Sequence, residues 1–538
     1  MIQEIVAFGG FFVINVFTYK GYWYSCAYKA NVERELNYAT LPNGLRSKVE
    51  QDVNGRATEL LLQNENGENR FGTYLNYRKH GTHATNMVSS VRYGTKVGSG
   101  NYAIREGQSY KYDKAGNIAE IIESGIATVR YTYDTLGRLI REDNRDFGKT
   151  FLFSYDNNGN ILSKLEAKFT VRPKDEIEQF QNIVAYDYDA VQGDRLVAFG
   201  GQTITYDQIG NPTTYLGKTL AWEKGRQLKS FGANNFTYDG SGRRIKKNST
   251  VFTYAPNGDL VKQSDGTTPN NTLEFIYDGS GVTGFTRNDT NYVYRKNISG
   301  DIVQILDMNG NVVVDYTYDA WGRHATRARN STGNLVSSVT GNDTTFAENM
   351  KLADVNPFRY RGYYYDRESN LYYLNSRYYD PNTMRFVNAD EQFNDDEHVF
   401  GANLYAYCYN DPVNNYDPCG HCTVSNATKS GKIDCGSSTC PQSDKYDPAV
   451  IILPHRKIKS SKWNKHTNPR AGGPEKGDAR RPVRRTDKPK PGKSKIEIDW
   501  ARTGAYAIGT ALIIVGVFEL ITTGSPMGVE QGARQFAY

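Results

Sequence analysis

One short motif recurs along the chain and restricts the possible folds more than any other feature of the sequence. It consists of Tyr-Asp-x-x-Gly followed by Asn or Arg. Six full copies begin at Tyr112, Tyr133, Tyr155, Tyr206, Tyr238 and Tyr318, and degenerate copies begin at Tyr254 and Tyr277. Self-similarity of this kind is typical of repeat architectures, so we expect a fold in which one small unit is used many times.

Each copy has the chemistry of a tight turn between two strands. Asp at the first turn position and Gly at the fourth favour a type I turn, in which the Asp side chain accepts a backbone hydrogen bond from two residues on. Gly also tolerates the positive φ that a hairpin with a bulge requires. Tyr131 and Tyr133 alternate with polar residues before the second turn, and Leu139 and Ile140 follow it. We therefore predict a β-hairpin for every copy.

Two-stranded hairpins are unstable alone, so successive hairpins are predicted to pair side by side into one long sheet. A sheet of that length must twist and curl, and closing it into a shell would protect its edges. The composition agrees, because 40 Tyr and 51 Gly favour strands and tight turns. Charged residues at 23% and aromatic residues at 13% exclude a wholly disordered chain. The predicted fold class is all-β.

The repeated motif resembles the YD repeat of RHS proteins, teneurins and the C subunits of insecticidal toxin complexes. Two further stretches, NPFRYRGYYYD from residue 356 and NLYAYCYNDPVNNYDPCG from residue 403, resemble the RHS-associated core. The resemblance covers roughly residues 30–421. It implies hairpins that spiral into a hollow β-shell, with the core plugging one end. From the repeats alone, a surface fibre or a carbohydrate-binding stalk remains an alternative.

The chain is predicted to have four parts. Residues 1–29 are predicted to be an N-terminal strand segment and are a candidate fragment start. They make a poor signal peptide, because they have no basic start and carry Glu4. Residues 30–355 form the repeat shell, 356–421 the core, and 422–538 a variable tail. The tail holds 20 Lys and Arg against 10 Asp and Glu, whereas the whole chain has a net charge of only +6.

Two carboxylates at the end of the core are the candidate catalytic residues. The resemblance implies that Asp390 and Asp417 form an aspartyl-protease-like pair, supported by Arg385, that cuts the chain near the His421–Cys422 bond. Chemically, two close carboxylates share one proton, so that one acts as a base on water and the other polarises the scissile carbonyl. The sequence departs from the family pattern after Asp390, where Glu391, Gln392 and an acidic insert follow. Judged locally, the Asp-Pro-Cys-Gly segment is simply a turn.

Five of the six cysteines crowd around the boundary between the core and the basic tail, and four of them, Cys419, Cys422, Cys435 and Cys440, are candidate metal ligands, with His421 as a spare ligand. Their spacing is compatible with a zinc site, with disulfides or with unlinked thiols, and the predicted function requires no cofactor. A cut after His421 would separate Cys419 from Cys422. Any metal or disulfide joining these two cysteines would therefore keep the tail tethered after the cut.

The tail contains two segments of interest. Residues 455–495 are basic, with Trp463, and are read either as a solvated linker or as a weak nucleic-acid binder. Residues 505–523 are the longest apolar run, centred on Ile513, Ile514 and Val515, and are predicted to form one hydrophobic helix. That helix either crosses a membrane or is buried, a β pair being a third alternative, and Glu519 would mark a pore or partner contact if it were inserted.

These observations predict an RHS-type polymorphic toxin, secreted or at the cell surface, whose shell stores a toxic tail until self-cleavage. Such a toxin would need an immunity protein and a delivery machinery as partners. The alternative is a cell-surface YD-repeat adhesion protein that binds glycans and is anchored by residues 505–523. No nucleotide-binding loop or hydrolase triad is present, so beyond self-cleavage no enzymatic activity is predicted and that of the tail stays open.

Overall fold

The computed structural model describes residues 5–8, 11–19, 22–29, 36–81, 83–266, 272–391 and 402–425. Several predicted features therefore lie outside the described residues. They are the cysteines Cys435 and Cys440, the basic segment 455–495, the apolar run 505–523 and, within that run, Ile513, Ile514, Val515 and Glu519.

In the part of the chain that the structure describes, seventeen strands form the first sheet, and consecutive strands of this sheet pair antiparallel. Their bounds are β1 (Ile5–Phe8), β2 (Phe11–Tyr19), β3 (Tyr22–Lys29), β4 (Leu36–Thr40), β5 (Arg46–Gln51), β6 (Ala57–Gln63), β7 (Asn69–His80), β8 (His83–Lys96), β9 (Tyr102–Tyr112), β10 (Ile118–Glu123), β11 (Ile126–Tyr133), β12 (Leu139–Asn144), β13 (Lys149–Tyr155), β14 (Ile161–Lys168), β15 (Asn182–Tyr188), β16 (Leu196–Phe199) and β17 (Gln202–Thr203).

Within the described residues, fifteen further strands continue the same up-and-down order in a second sheet, so the prediction of one long sheet is wrong: the pairing stops between β17 and the strand that follows it. Their bounds are β18 (Thr205–Tyr206), β19 (Pro212–Tyr215), β20 (Lys218–Glu223), β21 (Gln227–Phe231), β22 (Asn234–Tyr238), β23 (Arg244–Lys247), β24 (Thr250–Tyr254), β25 (Leu260–Ser264), β26 (Leu273–Asp278), β27 (Gly281–Arg287), β28 (Thr290–Lys296), β29 (Ile302–Asp307), β30 (Val312–Tyr318), β31 (His324–Arg329) and β32 (Leu335–Val336).

The repeated motif forms the predicted hairpin turn. In the copy between β11 and β12, the Asp134 N–H donates to the Arg138 carbonyl at 2.9 Å, and the Gly137 N–H donates back to the Asp134 carbonyl at 3.1 Å. Asp134 Oδ1 accepts the N–H groups of Leu136 and Arg138, each at 2.9 Å. Gly137 has a φ of 83°, which glycine adopts without steric cost. The hydrogen bonds of this copy confirm the predicted hairpin turn.

Either Arg or Asn can stand at the last position of the motif, for a reason that the sequence alone did not indicate. Arg138 Nε donates to Asp134 Oδ2 at 2.6 Å, and Asn117 Nδ2 donates to Asp113 Oδ2 at 3.0 Å. Both side chains thus present an N–H to the carboxylate oxygen that the backbone leaves open. Either residue completes the turn, so the motif accepts both.

The motif tyrosines join successive hairpins. In four of the full copies, those at Tyr133, Tyr155, Tyr206 and Tyr318, the hydroxyl donates to the first carbonyl of the strand that follows the preceding turn, as in Tyr133 to Ile118 at 2.7 Å and Tyr318 to Ile302 at 2.8 Å. Because the ring packs against the sheet while the hydroxyl finds a carbonyl, the buried polar tip is satisfied. The tyrosines therefore fix the spacing between hairpins as well as filling the core.

The two sheets also contact each other through residues far apart in sequence. Leu41, Leu45 and Phe71 of the first sheet region form one buried apolar cluster with Ile276, Val293 and Leu306 of the second. Tyr93 in β8 donates its hydroxyl to the Lys296 carbonyl at 3.0 Å. Strands of the second sheet therefore pack against strands of the first sheet that lie about two hundred residues earlier in the chain.

The remaining described elements belong to the core segment and its approach. They are α1 (Thr344–Val355), the 3-10 turns Tyr360–Gly362 and Cys408–Asn410, a four-stranded sheet of β33 (Tyr364–Asp366), β34 (Leu371–Tyr373), β35 (Tyr378–Asp380) and β36 (Arg385–Phe386), and the pair β37 (Asn415–Tyr416) and β38 (Val424–Ser425). A further 3-10 turn, Lys174–Glu176, lies between β14 and β15. Within the described residues α1 is the one α-helix, and it was not predicted. Asp343 caps its start by accepting the Phe346 N–H at 2.9 Å.

The core segment packs on the turns of the repeats. Tyr360 donates to the Ala320 carbonyl at 2.8 Å, Tyr405 to the Gly210 carbonyl at 2.9 Å. Asn410 donates to the Gly159 carbonyl at 2.7 Å, although Asn410 and Gly159 are far apart in sequence. The motif turns thus have a second role, since their backbone carbonyls are the groups that hold the core.

A buried arginine locks the core to the second sheet. Arg244 in β23 is 1% exposed and pairs with the carboxylate of Asp366 at the end of β33. Its guanidinium lies 4.2 Å from the centroid of the Tyr373 ring and 5.0 Å from that of Phe252. Lys247 reaches the same carboxylate at 3.0 Å. The charge of Asp366 is therefore met by two cations in an aromatic enclosure.

Candidate functional site

Both predicted carboxylates are buried at the end of the core. Asp390 lies just after β36, is 8% exposed, and is held by its backbone N–H, which donates to the Leu404 carbonyl at 2.9 Å. Asp417 follows β37, is 2% exposed, and its N–H donates to the Tyr363 hydroxyl at 2.8 Å. Each carboxylate therefore sits on backbone that a strand and a hydrogen bond hold in place.

Asp417 organises the segment in which the cut is predicted. Its Oδ1 accepts three backbone N–H groups, from Cys419 at 3.2 Å, Gly420 at 2.7 Å and Cys422 at 3.1 Å. The segment is thus wrapped around one carboxylate oxygen. The predicted turn is present, but it is a turn built around a side chain rather than a simple four-residue turn.

Gly420 is required by this wrapping. Its φ is 86°, and a Cβ there would lie 2.4 Å from Ser376 Oγ and 2.8 Å from the Leu374 carbonyl. Ser376 in turn donates to the Cys419 carbonyl at 2.6 Å. The segment is therefore pressed against the loop that precedes β35, with no room for a side chain at residue 420.

Arg377 is the group that joins the two carboxylates. Its Nη2 lies 2.8 Å from Asp390 Oδ2 and 3.8 Å from Asp417 Oδ2. Its Nε donates to the Gly420 carbonyl and its Nη1 to the Leu404 carbonyl. The guanidinium also stacks on Phe386, 3.6 Å from the ring centroid. One buried cation thus touches both acids and the backbone just before His421.

His421 completes the group. Its Nδ1 lies within hydrogen-bond distance, 2.7 Å, of Asp390 Oδ1, and its Nε2 lies 3.7 Å from Glu391 Oε1. Asp390 is therefore held between Arg377 on one oxygen and His421 on the other. The residue that precedes the predicted cut is therefore hydrogen-bonded to Asp390, one of the predicted catalytic acids.

The two acids differ in their surroundings. Burial raises the pKa of Asp417 to about 6, although Arg377 and the three backbone N–H groups partly offset it. Asp390 has a guanidinium at 2.8 Å, which stabilises its negative charge. At a pH below about 6, Asp417 is therefore an acid that can hold a proton at this site, as general acid catalysis requires.

Arg385 occupies a different place. Its Nη1 donates to the Tyr188 hydroxyl at 3.2 Å and its Nη2 to the Asp194 carbonyl at 2.6 Å, both near β15 and β16. It ties the core to the first sheet. The arginine at the acids is Arg377, which the sequence analysis did not single out, because nothing in its neighbourhood distinguishes it from the other core arginines.

The cysteines of the site are close together. The Sγ atoms of Cys419 and Cys422 are 3.2 Å apart, and no disulfide is present among the described cysteines. In the described ranges no three or more His, Cys, Asp or Glu side chains are arranged to hold a metal ion. Those ranges likewise contain no helix with the length and hydropathy of a membrane-spanning segment.

No family model matches the chain. The tRNA3(Ser)-specific nuclease WapA of Bacillus spizizenii is 30% identical over 301 residues, which are 54% of this chain and 12% of that protein. The double-stranded DNA deaminase toxin A of Burkholderia cenocepacia is 25% identical over 372 residues, 58% of this chain and 22% of that protein. The chain thus spans less than a quarter of the length of either relative.

Among solved structures, TcdB2-TccC3-Cdc42 is 18% identical and aligns with a TM-score of 0.48, covering 74% of this chain and 22% of that one. The hairpin repeat, the core that sits on its turns and these relatives are consistent with the resemblance to RHS/YD-repeat proteins that carry an RHS-associated core.

Proposed function

We propose that this chain is an RHS-type toxin whose core cleaves the bond between His421 and Cys422 and so frees the residues that follow. The observation that carries the proposal is the position of Asp417. Its Oδ1 accepts the Cys422 N–H at 3.1 Å, so the carboxyl group lies against the nitrogen that would be the leaving group of the cut. Once attack on the His421 carbonyl has removed the amide character of that nitrogen, a protonated Asp417 beside it can supply the proton that the departing amine needs.

Asp390 takes the opposite role in this proposal. A water molecule attacks the His421 carbonyl carbon and passes one proton to the Asp390 carboxylate. The tetrahedral intermediate then collapses, the bond to the Cys422 nitrogen breaks, and Asp417 supplies the proton that the new amine needs. The immediate products are a carboxylic acid at His421, which loses its proton to solvent, and an amine at Cys422. Asp390 ends protonated and Asp417 ends ionised, so one proton must return to Asp417 to restore the starting state.

Arg377 positions the reacting groups. It bonds the Gly420 carbonyl and Asp390 at once, so it holds the scissile segment and the base at a set distance. We assign Arg377 the supporting role that the sequence analysis gave to Arg385.

For the repeats we propose a hollow shell that encloses residues 422–538. Two observations support it, namely the consecutive antiparallel pairing within each of the two sheets and the buried cluster that contains both Leu45 and Ile276. Twisted sheets of which the second packs back on the beginning of the first protect part of their edges. A density map of the purified chain with no internal void would contradict this part of the proposal.

The cleavage experiment compares single substitutions in the full chain. Asp417→Asn and Asp390→Asn should each leave one full-length band on a denaturing gel, where the parent chain gives two fragments. Asp411→Asn is the matched control, because Asp411 is a buried acid of the same segment whose burial raises its pKa to about 7, but its carboxylate bonds Asn414 instead of the cut segment. Two unchanged fragments from Asp417→Asn would refute the assignment.

For the freed tail we propose a toxic activity that an immunity protein would neutralise, with delivery out of the producing cell. Expression of residues 422–538 alone in bacteria should arrest growth, and co-expression of a cognate immunity protein should restore it. Harmless accumulation at the membrane would instead favour the anchored, glycan-binding alternative. The assay also separates membrane damage from nucleic-acid damage, since dye entry reports the first and degraded or modified nucleic acid reports the second.

A further inference from the structure

Two buried cysteines stand on opposite sides of the proposed cut. Cys419 is 2% exposed and Cys422 is 5% exposed, and their sulfur atoms are 3.2 Å apart. A disulfide needs a separation of about 2.05 Å, so the sulfurs must approach by little more than one ångström, which rotation about the Cα–Cβ bonds provides.

The backbone holds this pair together from both sides. The N–H groups of Cys419 and Cys422 donate to the same oxygen of Asp417. Beyond the loop, β37 and β38 pair through Tyr416 with Val424 and Asn415 with Ser425. The chain therefore leaves and returns at one place, and the two thiols face each other across the closed loop.

We propose that Cys419 and Cys422 are a reversible disulfide site that retains the tail after cleavage. The consequence for the tail depends on the proposed cut at residues 421–422, whereas the formation of the disulfide does not. Cys419 belongs to the fragment before the cut and Cys422 begins the fragment after it. A bond between their sulfurs keeps the two fragments in one covalent molecule, and its reduction separates them.

The reaction is thiol–disulfide exchange with a small disulfide of the glutathione class. One thiolate attacks the external disulfide and releases one small thiol, and the second thiolate then attacks the mixed disulfide and releases the other. Two cysteine thiols lose two electrons and two protons in total, and the small disulfide gains both. A reducing dithiol reverses each step, so release of the tail would follow entry into a reducing compartment.

The test uses the full chain, incubated with oxidised glutathione, alkylated and run on denaturing gels with and without reductant. We expect one band without reductant and two fragments with it. Cys419→Ser should give two fragments in both lanes, because it removes one sulfur and leaves both residues of the scissile bond unchanged. Cys408→Ser is the matched control, because Cys408 is buried elsewhere in the core, and it should behave as the parent chain does.

Mass spectrometry of the peptide that contains both cysteines separates the two proposals. If the chain stays uncut but this peptide has lost two hydrogens, the disulfide site holds and the cleavage proposal fails. If the fragments separate without reductant and both cysteines are alkylated, the disulfide proposal is overturned. Zinc bound to the full chain, lost in Cys419→Ser and protecting both thiols from alkylation, would overturn it as well.

Discussion

Replacing Arg377 with lysine isolates what the guanidinium contributes to the proposed cut. Lysine keeps the positive charge but has one compact donor group, so it cannot serve Asp390, Asp417 and the Gly420 carbonyl together. Hydrogen bonds of charged groups contribute about 1.5–3 kcal/mol each, and losing one of them should cost about 2–3 kcal/mol of transition-state stabilisation. At about 1.4 kcal/mol per factor of ten, cleavage should slow roughly 30- to 150-fold.

The assay is cell-free synthesis of the full chain with a short radioactive pulse, sampled over time on a denaturing gel. Arg385→Lys is the matched control, since Arg385 is buried in the same core but bonds Tyr188 and the Asp194 carbonyl. It should cleave within a few-fold of the parent rate. A slow Arg385→Lys beside an unaffected Arg377→Lys would refute the assignment of the positioning arginine.

Three further outcomes are expected. Cleavage should need the protonated form of Asp417, so the cleavage rate should be highest below a pH of about 6 and should fall roughly tenfold per pH unit above it. The same pulse assay after a pH shift measures this dependence, and a rate that rises with pH would contradict the role of Asp417. Arg244→Met should lower the free energy of unfolding by about 3 kcal/mol or more, because it leaves Asp366 with one cation fewer. Adding Asp366→Leu to that variant should recover part of the lost stability in thermal unfolding. Equal losses in the single and double variants would argue against the ion pair. In a denaturant titration, Asp239→Ala should lower the free energy of unfolding by about 1–2 kcal/mol, because it removes the acceptor of the Ser241 and Arg243 N–H groups. Asp239→Asn keeps an acceptor oxygen, so it should retain most of that stability.

The hairpin units were predictable because every group that makes the turn lies within five consecutive residues. Asp134, Gly137 and Arg138 show this, since the carboxylate, the positive φ and the closing N–H all belong to one motif. The helix Thr344–Val355 was not predicted, because it lies in a region that the sequence analysis assigned to continuous repeats. Asp390 and Asp417 were predicted from the family resemblance, whereas the role of Arg377 in joining them could be seen only in the folded core.

From the sequence alone the repeating hairpin, the all-β class and the crowding of acids and cysteines around residues 417–422 follow, because each depends on neighbours in the chain. The tertiary structure decided which arginine meets Asp390 and Asp417, which turns hold the core, and how close the sulfurs of Cys419 and Cys422 come. Those relations join residues from separate strands. Packing sets such distances, and no local pattern of residues encodes them.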